Sequence, residues 1–509
     1  MSGLLGSILA TTNSLKANQV AIETAGKNMA NVNNTNYSRQ RVEFGISGGI
    51  SESTITQQRD AIIDDKIVRE TSVTGSLSAQ NKIYKQLQVI FGEQITGDVA
   101  SPDTLEGSNP GDNLNPGLST ALDDFFNSLH SLSTNPNDVP TKAAVIAQAE
   151  VLVNRMNTLS RDFENLDEDV IRNVEENVVE VNSILTEIAS MNKEISKIEL
   201  SRPGGALEFR DLRQQKLEEL AQYINFETRE DDSGQLTVFA MDKSAGGGTE
   251  VVLVEKTSVR NEIRFNEASN EVYFSNYTTS PLGNSPNSTA MDIEGGSLHG
   301  LIFVRSETDP HGGAGSQAIG PLAKIREDLD TLAVQLATEV STIYDTPGDN
   351  EFFFDDDENP DAIDLSAITA GNIRLYPGDP LGDFGPVITP LNSTTLKATN
   401  TTNTGANEVA LALAELRDNI SSNLRGNTFG EFISEMATDL GYEVSSTENL
   451  LENQSLLNSQ LQDQRASVSG VSIDEELANI IRFQKSFEAS ARVLQVMDEM
   501  LEVIVSLAR

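Results

Sequence analysis

Residues 472–507 read SIDEELANIIRFQKSFEASARVLQVMDEMLEVIVSL, a stretch with neither glycine nor proline. Ile480, Phe487, Leu494 and Leu501 recur every seventh residue, and Phe483, Ser490, Met497 and Ile504 each follow by three. That three-four alternation is the pattern of a coiled-coil seam, interrupted only at Ser490. Ser472 with Glu475 three residues later is a capping-box signature, so the spacing predicts one helix to near the chain end, roughly 54 Å long at ~1.5 Å per residue. In water such a helix is held mainly by packing its apolar face. It therefore needs a partner.

The other end of the chain offers one. From Leu4 to Val32, Ile8, Leu15, Ile22 and Met29 recur at a spacing of seven, with Thr11 and Asn18 where a strict seam would be apolar. The economical arrangement packs the two ends on each other as a coiled coil.

Composition narrows the classes of function. Against 36 Lys plus Arg stand 77 Asp plus Glu, a formal net charge of −41. With no basic cluster, neither nucleic acid nor insertion into an anionic membrane is expected, and the charge favours solubility and keeps monomers apart. The chain has no cysteine, so no disulfide or thiolate metal site can form. The first charge is Lys16, which does not suit a cleavable secretory signal, and no run approaches the ~18 apolar residues of a membrane span. These features suggest a cytoplasmic protein, unless export uses a route that reads no such signal.

Between the two ends the pattern is mostly helical. The asparagines at 28, 31, 33, 34 and 36 end the first helix, and an extended segment with Arg39, Arg41, Val42 and Phe44 comes next. Helices are expected over 59–90, 118–132, 141–200, 207–224, 321–344, 407–440 and 442–468, with 141–200 free of Pro and Gly and long enough for one or two very long rods. Period-two stretches at 236–239, 251–254, 262–265, 272–274 and 301–304 predict strands in a β-rich insertion. The expected fold is mainly α with β-rich insertions: a long helical rod closed by a coiled coil of the N- and C-terminal helices, β domains projecting outward. The expected domains are 1–42 with 468–509 as a terminal coiled coil, 43–230, 318–345 and 401–467 as a helical rod, 231–317 as a β-rich outer domain and 346–400 as a smaller irregular or β excursion.

Catalytic and binding motifs are weak. Gly45-Ile46-Ser47-Gly48-Gly49 matches the G-x-S-x-G elbow, but the next residues, Ile50 to Gln58, alternate where a helix should begin. Gly313 to Ala318 matches a loose dinucleotide loop without the following parallel strand. The acidic run 355–364 lacks the glycine and glutamate of an EF-hand. His130, His299 and His311 have no metal-ligand spacing. No enzyme activity, cofactor or metal is expected. The rival from another class is an enzyme using Ser47.

One resemblance is specific. ANVNNTNYSRQ, after a heptad helix, resembles the N-terminal signature of the flagellar rod, hook and hook-associated proteins, matching it at Asn31, Tyr37, Ser38 and Arg39. Its usual Thr-Pro-Gly turn is replaced by Asn34, Thr35 and Asn36, and Asn36 is expected to supply the left-handed residue in place of glycine. The stretch SGVSIDEELANIIRFQKSFEASARVLQVMDEML is similar to the matching C-terminal end of that family, and the helix carrying Asp211 and Arg213 resembles one in its hook-associated members. The resemblance implies a structural subunit joining hook to filament, exported through the flagellar type III channel and placed outside the cell. It implies as partners further copies in a ring-like axial assembly, hook protein, the next hook-associated protein and an export chaperone. The expected assembly interface is Ile8, Leu15, Ile22, Met29, Asn31, Tyr37, Arg39, Ile480, Phe483, Phe487, Leu494, Met497, Leu501 and Ile504. The nearer alternative is another axial protein, a hook protein or a flagellin.

Overall fold

The structure is a computed structural model and describes residues 2–47, 50–92, 117–201, 204–231, 234–243, 248–276, 290–306, 320–344, 353–355, 365, 367–377, 391–399 and 406–507. In chain order its helices are α1 (Ser2–Ala30), α2 (Ala61–Phe91), α3 (Leu118–Thr134), α4 (Val139–Glu199), α5 (Leu207–Ala221), α6 (Gly296–Arg305), α7 (Pro321–Tyr344), α8 (Glu408–Glu415), α9 (Phe429–Ser469) and α10 (Ile473–Leu507). The strands are β1 (Gln40–Ser47), β2 (Ile50–Gln57), β3 (Glu227–Glu230), β4 (Leu236–Met241), β5 (Glu250–Glu255), β6 (Ser258–Val259), β7 (Asn261–Asn266), β8 (Glu271–Asn276), β9 (Phe354–Asp355) and β10 (Arg374–Leu375). The mainly helical fold with β insertions is the one the periodicities imply, and the stretch from 139 to 199 is one 61-residue helix. Two compact units share it: Met1–Ser78, Glu175–Gly300 and Leu450–Arg509 form the first, and Ala79–Val174 and Leu301–Asn449 the second.

In the first unit β1 and β2 form an antiparallel hairpin, and β3-β4-β5-β6 and β7-β8 form two small antiparallel sheets. Both sheets are fastened to α4 by side-chain amides that act as strand partners. Asn182 accepts from the Ile263 N–H at 2.9 Å and donates to its carbonyl at 2.9 Å. Asn192 does the same to Leu236, accepting at 3.2 Å and donating at 2.7 Å, and donates also to the Lys256 carbonyl at 2.6 Å. Buried backbone groups at the sheet edge are thereby satisfied without another strand. At the start of α6, Gly296 has φ +79° and lies so close to the Tyr223–Ile224 peptide that a Cβ would overlap it. The contact lets Ser297 N–H reach the Gln222 carbonyl at 2.8 Å, so the helix starts against the end of α5.

The second unit is organised around aromatic rings. Phe353 and Phe354 are fully buried and meet Phe125 at 5.9 and 6.5 Å between centroids, with Tyr344 at 5.4 Å from Phe353. Phe126 and Phe429 extend the cluster at 6.1 Å. Asp355, also fully buried, is paired with Arg374 at 2.8 Å. Between α8 and α9, Arg425 has φ +57° and Gly426 φ +82°. Arg425 is held there by stacking over Phe432 at 5.2 Å and by an ion pair with Asp328.

Two local expectations are corrected. Residues 301–304 are helical, within α6, because Leu298, Leu301 and Val304 present one buried face at a spacing of three. A four-residue apolar run alone cannot separate the two periods. Gly441 does not end a helix: α9 runs unbroken through it, since one glycine costs only about 1 kcal/mol there. The helical break lies at residues 416–428, where short 3-10 turns and the left-handed Arg425-Gly426 pair intervene. As the alternation after it implies, Ser47 ends β1 and pairs with Ile50 at the start of β2, so a strand stands where a nucleophile elbow needs a helix. Gly313 to Ala318, His311 and residues 356–364 lie outside the described residues.

Candidate assembly interface

The two chain ends pack on each other. Helices α1 and α10 are antiparallel, with Ser14 facing Ser490 at 3.3 Å between hydroxyl oxygens and the Thr11 hydroxyl toward Met497 Sδ at 3.9 Å. The serine that interrupts the α10 seam thus meets a serine of α1. Ile8, Leu15, Ile22 and Met29 on α1, and Ile480, Phe483, Leu494, Met497 and Leu501 on α10, are all partly buried. Phe487 remains 38% exposed. The side chain of Ile504 lies outside the description. On α1 the fully buried positions are instead the small and polar ones, Ala17, Asn18, Ala21, Thr24, Ala25 and Asn28. Alanines at a spacing of four let the neighbouring backbone come close, a signal that a search for large apolar residues passes over.

The turn after α1 is built from asparagine side chains. Asn31 donates to the Lys27 carbonyl at 3.0 Å, capping the helix, and Asn34 Oδ1 accepts from Asn36 N–H at 3.2 Å in an Asx turn. Asn36 does not adopt a left-handed conformation: the non-glycine residues of positive φ among those described are Lys256, Asn270 and Arg425. The Asn34 carboxamide makes the turn without one.

Asn28 then clips the extended segment back onto α1. It donates to the Gln40 carbonyl at 2.8 Å, and its Oδ1 accepts from Gln40 N–H at 3.0 Å and from the Tyr37 hydroxyl at 2.8 Å. Burial, with the nearby charges of Asp211, Glu208 and Glu476, raises the Tyr37 pKa, so the phenol stays a donor. Ser38 N–H donates to Asp211 Oδ2 at 3.3 Å, and Arg59 lies 3.7 Å from Asp211 Oδ1 and 2.7 Å from Asp64. Burial raises the Asp211 pKa against the opposing effects of Ser38 and Arg59. Close by, burial lowers the Arg213 guanidinium to about 10, with the neighbouring Arg210 and Arg59 cations adding to that effect against Glu230.

Arg39 reaches from this clip to the start of α10. Its Nε and Nη2 meet Glu476 Oε1 at 2.8 and 2.7 Å, and its Nη1 meets Glu475 Oε2 at 2.7 Å. Glu475, expected to close a capping box with Ser472, gives its carboxylate to Arg39. Burial opposes the Arg39 cation, but the hydrogen bonds to Glu475 and Glu476 outweigh it and raise its pKa. Phe44 of β1 lies 6.1 Å from Phe483, over which Arg482 stacks at 5.0 Å. Away from α1, α10 presents Ile473, Leu477, Ile481, Val493, Val496, Met500 and Val503, each 44–60% exposed. In this site Glu475 and Glu476 carry no sequence signal of an interface, because acids in a first helical turn read simply as favourable to the helix dipole, and the partners of Asn28 and Asp211 lie too far along the chain for local pattern to show.

Comparison with known proteins matches residues 111–349 to a family model described as the flagellar hook-associated protein FlgK helical domain. Residues 462–507 match one described as the flagellar basal body rod FlgEFG protein C-terminal. Over nearly its whole length the chain is similar to proteins named flagellar hook-associated protein 1. It is 23% identical to that of Bacillus subtilis, covering 97% of this chain and 96% of the relative. Against that of Escherichia coli it is 23% identical with 100% of both chains covered. Against that of Salmonella typhimurium it is 24% identical, over 97% of this chain and 98% of the relative. Among solved structures, the flagellar hook junction protein FlgK from Burkholderia pseudomallei shares the fold, with a TM-score of 0.57 at 15% identity, covering 80% of this chain and 100% of that one.

Proposed function

The chain belongs to the flagellar hook-associated protein family, and from that premise we propose that it is a structural subunit joining hook to filament, acting through contacts with neighbouring subunits and not through catalysis. The observation that carries this reading is the condition of α10. It lies in the segment similar to the rod-protein C-terminus, it pairs with α1, and it leaves an apolar stripe from Ile473 to Val503 open to solvent. A stripe of that length on one helix marks an interaction surface. The proposed assembly domain is residues 1–42 with 468–509, and the interface residues are the seam residues of α1 and α10 together with Asn31, Tyr37 and Arg39. The helical body formed by 43–230, 318–345 and 401–467 supports it, and 231–317 and 346–400 are the outward domains.

The partners under this reading are further copies of the chain in a ring-like axial assembly, hook protein on one side and the next hook-associated protein on the other. An export chaperone holds the subunit before passage through the type III channel. The net charge of −41 keeps free subunits apart until axial neighbours supply packing for α10. Deleting the gene tests the reading directly: cells should carry hooks without filaments and shed filament protein into the medium. Normal filaments on the deletion strain would overturn it.

A further inference from the structure

The seam that pairs the chain ends does not by itself choose one alignment. Ile8, Leu15, Ile22 and Met29 repeat every seven residues, as do Ile480, Phe487, Leu494 and Leu501. Sliding one helix by a heptad, roughly 10 Å at 1.5 Å per residue, again sets apolar residues against apolar residues. We propose that Arg39 and Glu476 form a register lock, which selects the alignment of α1 with α10 seen in the structure.

Glu476 is the only fully buried side chain among the described residues of α10, at 2% exposure. A helix whose described apolar residues all keep some contact with solvent thus buries one carboxylate, and Arg39 is the cation that meets it. Arg39 has little freedom to follow a sliding helix. Its own N–H donates to the Ser469 carbonyl at 2.9 Å, and the next residue, Gln40, is clipped to Asn28 of α1 by two hydrogen bonds. The position of Arg39 is therefore set from α1 and from the end of α9, and Glu476 comes to it only in one register.

Seven residues after Glu476 on α10 stands Phe483, which is no carboxylate, and α10 begins at Ile473, only three residues before Glu476. A slipped helix would leave the guanidinium facing Phe483 or the chain beyond the helix start, and strand a buried charge. Such pairs add little net stability, because desolvation offsets their attraction, yet losing one partner is strongly unfavourable. That asymmetry is what a register device requires. Ser490 acts in the same sense more weakly: it faces Ser14 at 3.3 Å, and a heptad slip would bring Phe483 or Met497 to that hydroxyl. The lock is a property of the chain itself and stands whether or not the subunit joins hook to filament.

The absence of cysteine from the sequence makes the register directly readable. In the full-length chain, Ser490→Cys is combined in turn with Ser14→Cys, Ser7→Cys or Ala21→Cys, and each protein is oxidised with copper phenanthroline. The intrachain disulfide is then quantified by mass spectrometry. With Arg39 and Glu476 present, the 14/490 pair should form at least about tenfold more disulfide than the 7/490 and 21/490 pairs. In a background of Arg39→Met with Glu476→Leu, which removes both charges and leaves no buried group unpaired, helicity should persist. The three pairs should then come within about threefold of one another. Undiminished preference for 14/490 in that background would overturn the lock. So would a parent chain in which the three pairs crosslink alike, or in which none does.

Discussion

The aromatic core of the second unit and the terminal helix α10 use apolar residues to opposite ends. Phe125, Phe126, Phe353, Phe354, Tyr344 and Phe429 are all at or below 2% exposure, each ring touching another within the unit. On α10 the apolar residues are more numerous, and none of those described is fully buried; the fully buried side chain is a glutamate. The first arrangement is complete in one chain. The second leaves an apolar stripe open to solvent, and its fully buried side chain among the described residues is one half of an ion pair. Burial of the rings stabilises, whereas the buried charge chiefly chooses between alignments.

The contrast can be broken from the side of the core first. Phe353→Ala should remove about 3–5 kcal/mol from the second unit, since it empties a site among close-packed rings. Chemical denaturation of the full chain should show that loss, while amide exchange across α10 stays as in the parent. A variant that speeds exchange in α10 equally would show that the terminal pair is not independent of that core.

Arg39→Ala comes next. It leaves the Glu476 carboxylate buried without its cation, a cost of about 2–3 kcal/mol, below the fully buried case because the Arg39 side chain is itself 19% exposed. The effect should be local: faster amide exchange over 473–480, with little change in the overall Tm.

Asp211 sharpens the comparison with a smaller, pH-dependent effect. Its folded pKa lies above the unfolded value, mainly because it is buried. The folded state therefore holds that proton more tightly, so this group contributes increasing stability as pH falls through the folded pKa, and the ionised form is a net cost above it. Asp211→Asn keeps an acceptor for the Ser38 N–H and removes the charge. It should match or exceed the parent at pH 7, by less than about 1 kcal/mol, and lack the parent's relative gain on acidification. Tm measured for both proteins between pH 4 and 7 gives the difference. A variant less stable at pH 7 would assign the carboxylate a stabilising role instead.

The smallest effect on the isolated chain is expected at the open stripe. Val496→Ser with Met500→Ser alters residues 53% and 44% exposed, and should shift stability by no more than about 0.5 kcal/mol per site. Incorporation into flagella in cells should nevertheless fall sharply. Full incorporation would remove the stripe from the assembly surface.

Much of this was open to reading in the chain. Period and length were enough for α4, α7 and α10, because runs of many turns without proline or glycine leave little else to form. Strands β4, β5, β7 and β8 were equally visible as alternations between turn residues. What escaped was what single residues do at short range. Residues 301–304 carry too few positions to show their period, and the Asn-rich turn could be closed by the Asn34 side chain as well as by a left-handed backbone. Strand β3, reading Glu-Thr-Arg-Glu, has no hydrophobic signal because it lies at an edge of its sheet.

The sequence by itself determined that both ends of this protein are heptad helices, since periodicity and local turn chemistry are written in neighbouring residues, and its terminal motifs resemble those of the flagellar axial proteins. Only the tertiary structure decided how those helices are aligned and what holds them so. A seven-residue repeat is indifferent to a seven-residue slip, and the residues that remove the ambiguity, Asn28, Arg39 and Glu476, are brought together from opposite ends of the chain.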